Sequence, residues 1–338
     1  VIERWRQLRA LVIEKPHQAT IQEVEYPKPR MNEVTIKVER TGICGTDIHI
    51  YEGTYISSYP LIPGHEFSGV IHEIGPAVTG YSVGDRVSAD PNIFCGHCEY
   101  CQTHRSNQCE NFAATGVTRN GSMAEYVRVP ANTLIRMPDS MTFQQGAFIE
   151  PMACVVYAMN RLQVQAGDRV ILFGAGAMGQ QLVQAISRSG ASELAVVDIS
   201  PSKLRIAEQF GATRTILSDE LDTRLSGQAF DIVVEATGIP AVIQKAFTYM
   251  GPAAKYLQFG VADSEVTVPL SPFKLFNKDW TILGSMAVHY TTIPAMRWID
   301  EGRVQVDHLV SQTLSLEQTL DFFENAKNRD FLKTQIQL

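Results

Sequence analysis

Between Arg169 and Asp198 the chain runs through a continuous apolar strand, Arg169-Val-Ile-Leu-Phe173, and a glycine-spaced turn, Gly174-Ala-Gly176-Ala-Met178-Gly179. A helical pattern to Ser187 and a second apolar strand, Glu193-Leu-Ala-Val-Val197, follow. Strand, helix and strand in about 30 residues is the length one right-handed parallel crossover needs. Such a unit belongs in a sheet covered by helices on both faces, which narrows the fold to an α/β class with a doubly wound parallel sheet. Alone, the glycine spacing is common by chance. Between a strand and a helix it has a physical reason: Gly174, Gly176 and Gly179 permit the tight turn, close approach to a pyrophosphate and close helix packing, with Met178 in the same turn. The helix N-terminus adds partial positive charge for the phosphates. Asp198 ends the second strand, where a carboxylate accepts hydrogen bonds from ribose hydroxyls and repels a 2′-phosphate. The expected cofactor is therefore NAD rather than NADP.

Phe230-Asp-Ile-Val-Val-Glu235 and Lys255-Tyr-Leu-Gln-Phe259 read as further strands of this sheet. The first 150 residues have a different rhythm. Short strands at 34–38, 70–74 and 126–129 alternate with Gly/Pro breaks, as in an all-β unit. The predicted domains are thus 1–150, a β unit; 151–284, the dinucleotide-binding unit; and 285–338, a return segment with a helical stretch and a final strand at 334–338. A length of 338 residues suits roughly two domains. With 45% hydrophobic and 19% charged residues, the chain has the material for packed cores and is not a disordered one. A net charge of −7 is the wrong sign for a nucleic-acid binder. No window approaches about 18 uninterrupted apolar residues, so no membrane-spanning helix is expected. Val1-Ile-Glu-Arg-Trp-Arg-Gln-Leu-Arg9 is too charged to form the apolar stretch of a secretory signal, and a cytoplasmic location is expected.

Four of the six cysteines cluster as Cys95-x2-Cys98-x2-Cys101-x7-Cys109. Four thiolates in one short loop match tetrahedral Zn²⁺ with Zn–S distances of about 2.3 Å, and they leave no position for water or substrate. This zinc is predicted to be structural. Iron–sulfur runs use a closer last spacing and a following proline, whereas Glu110 follows Cys109. His97 and His104 read as solvated loop residues.

Two further motifs carry metal-binding residue types: Gly42-Ile-Cys44-Gly45-Thr46-Asp47-Ile48-His49 and Gly64-His65-Glu66-Phe67-Ser68-Gly69. A thiolate and an imidazole with nearby carboxylates can hold zinc and keep a position open. Glu150 stands in the apolar run Phe148-Ile-Glu-Pro151, and a buried glutamate needs a metal or a cation. Cys154, four residues on, reads as a core residue.

Taken together, Gly64-His65-Glu66-x2-Gly69-x5-Gly75-x2-Val78, Cys44-Gly45-Thr46-Asp47 and the cysteine run resemble the zinc-containing medium-chain alcohol and polyol dehydrogenases over essentially the whole chain. The resemblance implies a GroES-like catalytic domain completed by the C-terminal tail, with a Rossmann domain between. It implies two zinc ions per subunit. Cys44 and His65 would ligate the catalytic one, and Glu66 and Glu150 would bind it or its water. Thr46 would pass a proton through the ribose, with His49 as the outlet to solvent, and Lys203 would lie against the adenosine ribose. Zinc would stabilise the substrate's alkoxide, which donates hydride to the nicotinamide. The alcohol-dehydrogenase branch usually has a cysteine where Glu150 stands, so the polyol branch is favoured, giving a ketose from a secondary hydroxyl. Sorbitol-type relatives usually have a tyrosine where this chain has Ile50 and an arginine in the region of Gly284–His289. With Cys44, Glu66 and Glu150 ionised around Zn²⁺, the site is expected to be neutral or slightly negative, unless His289 or Arg297 alters the field. A threonine-dehydrogenase-like amino-alcohol oxidation is the alternative within enzymes, through the run at Cys44 to Tyr51. A non-catalytic dinucleotide-binding regulator is the alternative outside them. Family members also suggest a homodimer or homotetramer formed through sheet edges, and the first seven or so residues precede the usual family start.

Overall fold

In the computed structural model, which describes residues 7–325 and 331–338, the run Arg169–Phe173 becomes an inner strand of a six-stranded sheet. Most of the charged N-terminal run therefore lies outside the described residues. From edge to edge the strands are Arg214–Leu217, Glu193–Asp198, Arg169–Phe173, Phe230–Glu235, Met250–Gln258 and Thr281–Gly284, every pair parallel. Counted along the chain the order is third, second, first, fourth, fifth, sixth. This is the doubly wound arrangement, and its winding direction reverses beside Arg169–Phe173, where ligands of such sheets bind. Both faces are covered, so Val170, Ile171 and Leu172 are all fully buried. Ile171 and Phe173 pack with Ala195, Val197 and Val233 in one cluster. Cutting Ile171 back to alanine would cost about 2–5 kcal/mol in lost contact and cavity.

Two strands of this sheet depart from the sequence reading. Met250–Gln258 starts well before Lys255, because its register against Phe230–Glu235 slips between Phe230 and Ile232. Ala253 absorbs the extra chain at φ 56°, so the apparent interruption by Gly251 and Pro252 is an irregularity within a strand. The strand Thr281–Gly284 has only Ile282 and Leu283 as apolar residues, too short a run to stand out, and it lies largely exposed at the edge.

Cys154–Ala287 forms one compact unit; the residues up to Ala153 and Val288–Leu338 form the other. The first changeover falls inside the helix Ile149–Leu162. The second unit's main sheet runs Val310–Leu314, Lys333–Gln337, Glu33–Ile43, Glu66–Ile74, Arg86–Ala89 and Leu134–Arg136, and Tyr126–Pro130 also pairs with Glu33–Ile43. Val34, Ile36 and Val38 bury one face with Phe67, Ile71, Val87, Val127 and Val129. The hairpin of Gln7–Lys15 and Gln18–Glu25 contributes Leu8, Leu11 and Ile13 to another core with Ile43, Ile50 and Ile336. Near the end of the central strand Glu33–Ile43, Gly42 lies opposite Glu66 on one side and opposite Gln335 on the other. Among the described residues no helix is long and apolar enough to cross a membrane.

Candidate metal centres and dinucleotide site

The chain turns from the strand Glu33–Ile43 straight into the helix Gly45–Glu52, with Cys44 as its N-cap. Asp47 folds back on this turn, and its Oδ2 accepts a hydrogen bond from the Cys44 amide at 2.8 Å. Its Oδ1 accepts from the Gly64 amide at 3.1 Å and lies 3.5 Å from His65 Nδ1. One fully buried carboxylate thus ties both ligand segments together and orients the imidazole, the role outer carboxylates play behind metal-bound histidines. Glu66 opens the next strand. A Cβ on Gly42 would collide with Glu66 Oε2, so the glycine is what lets this carboxylate lie across the sheet.

Donor atoms of Cys44, His65 and Glu66 all lie within 4.8 Å of one another. Glu150, in the first turn of Ile149–Leu162 and 7% exposed, stands outside that group. The cluster has a cation that the sequence reading did not name. Lys333 Nζ donates to Glu66 Oε1 at 2.8 Å, to Glu66 Oε2 at 2.7 Å and to the Ile43 carbonyl at 3.2 Å. Burial alone would lower the Lys333 pKa, but Glu66, Cys44 and Glu150 outweigh it and hold the pKa above its ordinary value. His65 shows the same balance: burial lowers its pKa, and the charges of Asp47 and Cys44 raise it well above the usual value. A thiol, an imidazole and a carboxylate whose donor atoms lie this close, with the fully buried Asp47 behind them, form a donor set that a divalent ion would fill. Sulfur, imidazole nitrogen and carboxylate oxygen together suit zinc and leave a fourth position. Zinc fits the residues present.

Thr46 and His49 are both half-buried on the helix Gly45–Glu52, and His49 Nδ1 shares a hydrogen bond with Thr54 Oγ1 at 3.2 Å. Ile50 is fully buried in a hydrophobic core, so its difference from the sorbitol-type tyrosine is a core substitution. His289 lies by His104, where burial lowers its pKa, and Arg297 is exposed on the helix Thr292–Asp300. The cation paired with a site carboxylate is Lys333.

The four-cysteine lobe folds as a self-contained loop. Cys95 and Cys101 sulfurs are 4.0 Å apart, and those of Cys98 and Cys109 are 3.9 Å apart. A tetrahedron with 2.3 Å arms has edges of roughly 3.8 Å. The Cys98 amide donates to Cys95 Sγ at 3.4 Å, and the Asn111 amide donates to Cys109 Sγ at 3.3 Å. Amide hydrogen bonds, the His97 backbone first among them, lower the Cys95 pKa, while burial raises that of Cys101. His97 and His104 are exposed, and Cys154 is half-buried.

In the other unit Gly174 takes φ 101°, open to glycine at little cost. A Cβ on Gly179 would strike the Gly174 carbonyl, whereas one on Gly176 would meet open space, as an approach path for a phosphate requires. Gly176 caps the helix Ala177–Ser187 without a side-chain bond, leaving its first amides available. Met178 sits in that first turn, its sulfur 3.6 Å from Gln181 Nε2. Asp198 Oδ2 accepts from the Ala175 amide at 2.6 Å, and Oδ1 accepts from the Ser200 amide at 2.9 Å. The carboxylate thus fixes the glycine turn and has lone pairs left for a ligand. Ser200 caps the helix Pro201–Gln209, whose third residue is Lys203. Buried Gln180 links the two, donating to the Ala175 and Lys203 carbonyls, both at 2.9 Å. Beside Asp198, Ile199 is 81% exposed, an apolar face that the sequence reading passed over.

Known proteins share both halves of this architecture. The alcohol dehydrogenase GroES-like domain matches residues 30–139, and the zinc-binding dehydrogenase domain matches residues 177–301. D-arabinitol dehydrogenase 1 of Uromyces fabae is 32% identical over 98% of this chain and 97% of its own. Sorbitol dehydrogenase of Bacillus subtilis is 31% identical, with 94% of this chain and 93% of its own covered. A zinc-binding dehydrogenase of Sinorhizobium meliloti 1021, solved with NADP bound, superimposes with a TM-score of 0.94 at 29% identity, covering 98% of this chain and all of that one. The chain belongs to the zinc-binding alcohol dehydrogenase family. It is a zinc-dependent oxidoreductase with a GroES-like unit, a Rossmann unit and a nicotinamide dinucleotide cofactor.

Proposed function

We propose that the protein oxidises a secondary hydroxyl of a neutral polyol to a ketone, with NAD as hydride acceptor. Support comes from the arabinitol and sorbitol dehydrogenase relatives. The observation that carries the reading is the buried Cys44–His65–Glu66 cluster backed by Asp47 and Lys333. Zinc, when bound, supplies a Lewis acid that polarises the substrate's hydroxyl. Cys44, His65 and Glu66 would hold it, with Glu150 close enough to act on the same charge balance. With Cys44, Glu66, Glu150 and the buried Asp47 against one divalent ion and the Lys333 ammonium, the formal charge is about −1, which disfavours an anionic substrate and suits a neutral polyol. Thr46 would receive the released proton at Oγ1, and His49 would pass it to solvent, a task that an imidazole side chain suits. Asp198 would take the ribose hydroxyls, Lys203 would lie by the same ribose, and Gly174, Gly176, Met178 and Gly179 would line the pyrophosphate.

The oligomer would be a homodimer or homotetramer. The edge strand Thr281–Gly284 is paired on one side only, and Phe273 and Phe276 on the preceding helix are 70% and 84% exposed. A cytoplasmic, reducing compartment suits six free cysteines, four of them gathered as metal donors.

The decisive experiment follows NADH formation against pentitols, hexitols, L-threonine and simple alcohols, with and without a chelator. Chelator-sensitive turnover of alditols is expected. Turnover of L-threonine alone would replace this reading with amino-alcohol oxidation, and no turnover in any arm would point to a dinucleotide-binding regulator. NAD should bind more tightly than NADP, and Asp198→Ala should narrow that preference by about tenfold, or about 1.4 kcal/mol. Equal affinities in the unmodified protein would defeat the cofactor assignment.

A further inference from the structure

Lys333 is 4% exposed and Glu66 is 1% exposed, and the two face each other 267 residues apart in the chain. All three ammonium hydrogens have acceptors: both Glu66 oxygens and the Ile43 carbonyl. Three features of the fold converge to allow this. Gly42 has no side chain where the carboxylate lies. The strand Lys333–Gln337 lies beside Glu33–Ile43, with Thr334 opposite Ile43, so Lys333 emerges at the Cys44 end. The strand Glu66–Ile74 lies on the other side of Glu33–Ile43, with Glu66 opposite Gly42, which brings its carboxylate to the same end. A lone buried carboxylate is costly, and removing one partner of a buried pair leaves the other uncompensated.

We propose that Lys333 is the resident counter-cation of the open metal centre, sharing the Glu66 carboxylate with the metal ion and so setting how strongly metal binding is coupled to folding. The inference rests on the reading that Cys44, His65 and Glu66 hold the metal. With the site empty, the ammonium neutralises Glu66 and keeps the cluster assembled. With the site filled, it competes for Glu66 and weakens that ligand's hold. Lys333 is thus a positioning residue acting through Glu66.

The test compares the full chain carrying two zinc ions with the same chain after mild chelation has removed the more labile one, metal content being measured in both. In the unmodified protein the two forms should melt within a few degrees of each other. Lys333→Met should destabilise the one-zinc form far more than the two-zinc form, and should slow loss of the labile ion to chelator by about tenfold or more, because Glu66 is then free for the metal. Lys333→Arg should restore wild-type behaviour in both measurements. If Lys333→Met does not fold when stripped, Lys333→Met combined with Glu66→Gln should, since no buried carboxylate is left unpaired. Equal loss of melting temperature in both forms with an unchanged rate of metal loss would overturn the proposal, as would failure of the double variant to fold. A wild-type protein holding one zinc only, in the cysteine lobe after zinc supplementation, would overturn the metal-site reading itself. That result is read from metal content before any Lys333 variant is made.

Discussion

Two donor clusters occur in the same structural unit, and they are built in opposite ways. The lobe takes its four sulfurs from the stretch 95–109, and its local amides complete the arrangement. The other cluster draws Cys44 from a helix cap, His65 and Glu66 from the start of a strand, and its counter-charge from Lys333. The first is satisfied by its own loop, so a metal held there would serve stability. The second needs strands far apart in the chain and has mixed ligands. It is also held together by a carboxylate on one side, Asp47, and an ammonium on the other. A closed site can be local; this open one depends on the whole sheet for its donors and its balance of charge.

That contrast can be broken most sharply at Cys44. Cys44→Ser should reduce turnover by about a thousandfold, corresponding to several kcal/mol of lost transition-state stabilisation, and leave one zinc per chain. Steady-state rates with elemental analysis check both; retention of two zinc ions would place the second metal elsewhere. Cys98→Ser should show the reverse pattern. A fall in melting temperature of about 10 °C is expected, with turnover per folded molecule changed by less than about threefold, as calorimetry alongside active-site titration would reveal. Asp47→Asn should weaken the labile metal by about 10–100-fold without touching the lobe's ion, as seen in competition with a chelator.

The smallest effect expected lies in the approach to the lobe. Asp90, between the strand Arg86–Ala89 and the cysteines, has its pKa raised by burial from 3.8 to about 6, against hydrogen bonds from Asn92 that lower it. A carboxyl with a raised folded pKa costs no stability while both states are protonated, below about pH 4. The cost grows as the pH rises toward 6, and it is constant above that. A rise from 3.8 to about 6 is worth about 3 kcal/mol, and weaker hydrogen bonds to Asn92 would take back part of it. Asp90→Asn should therefore stabilise the protein by about 1–2 kcal/mol at pH 7 and by well under about 1 kcal/mol at pH 4. Denaturant titrations at the two pH values would show it, and an equal gain at both would rule out ionisation as the cause.

Legibility in the sequence divides along the same line. The cysteine run and the glycine turn are contiguous motifs, and the strands Arg169–Phe173 and Phe230–Glu235 have the bounds that the apolar runs suggest. Cys44, His65 and Glu66 are legible because each stands in a short motif, and the fold brings their donors together. Asp47 carries a faint signal, an acidic residue three positions after an N-cap, whose meaning depends on where His65 lies. Lys333 carries none. A lysine opening a strand, Lys333-Thr-Gln-Ile-Gln337, reads as a solvent-facing residue, and only the pairing of that strand with Glu33–Ile43 turns it inward. A charge count of the site from sequence therefore omits two buried charges of opposite sign, Asp47 and Lys333, with His289 and Arg297 considered in their place. Sheet order in space is what the one-dimensional pattern does not contain.

One consequence concerns how pieces of such a protein can be exchanged. The Rossmann unit occupies a single uninterrupted segment, Cys154–Ala287, inserted into a GroES-like unit that is split around it. Recombination can graft the inserted segment as one cassette. A donor fragment ending at Ala153 would arrive without the strand Lys333–Gln337, exposing an edge of Glu33–Ile43 and leaving Glu66 without its ammonium. Chimeras of the metal-bearing half must therefore inherit both flanks from the same parent.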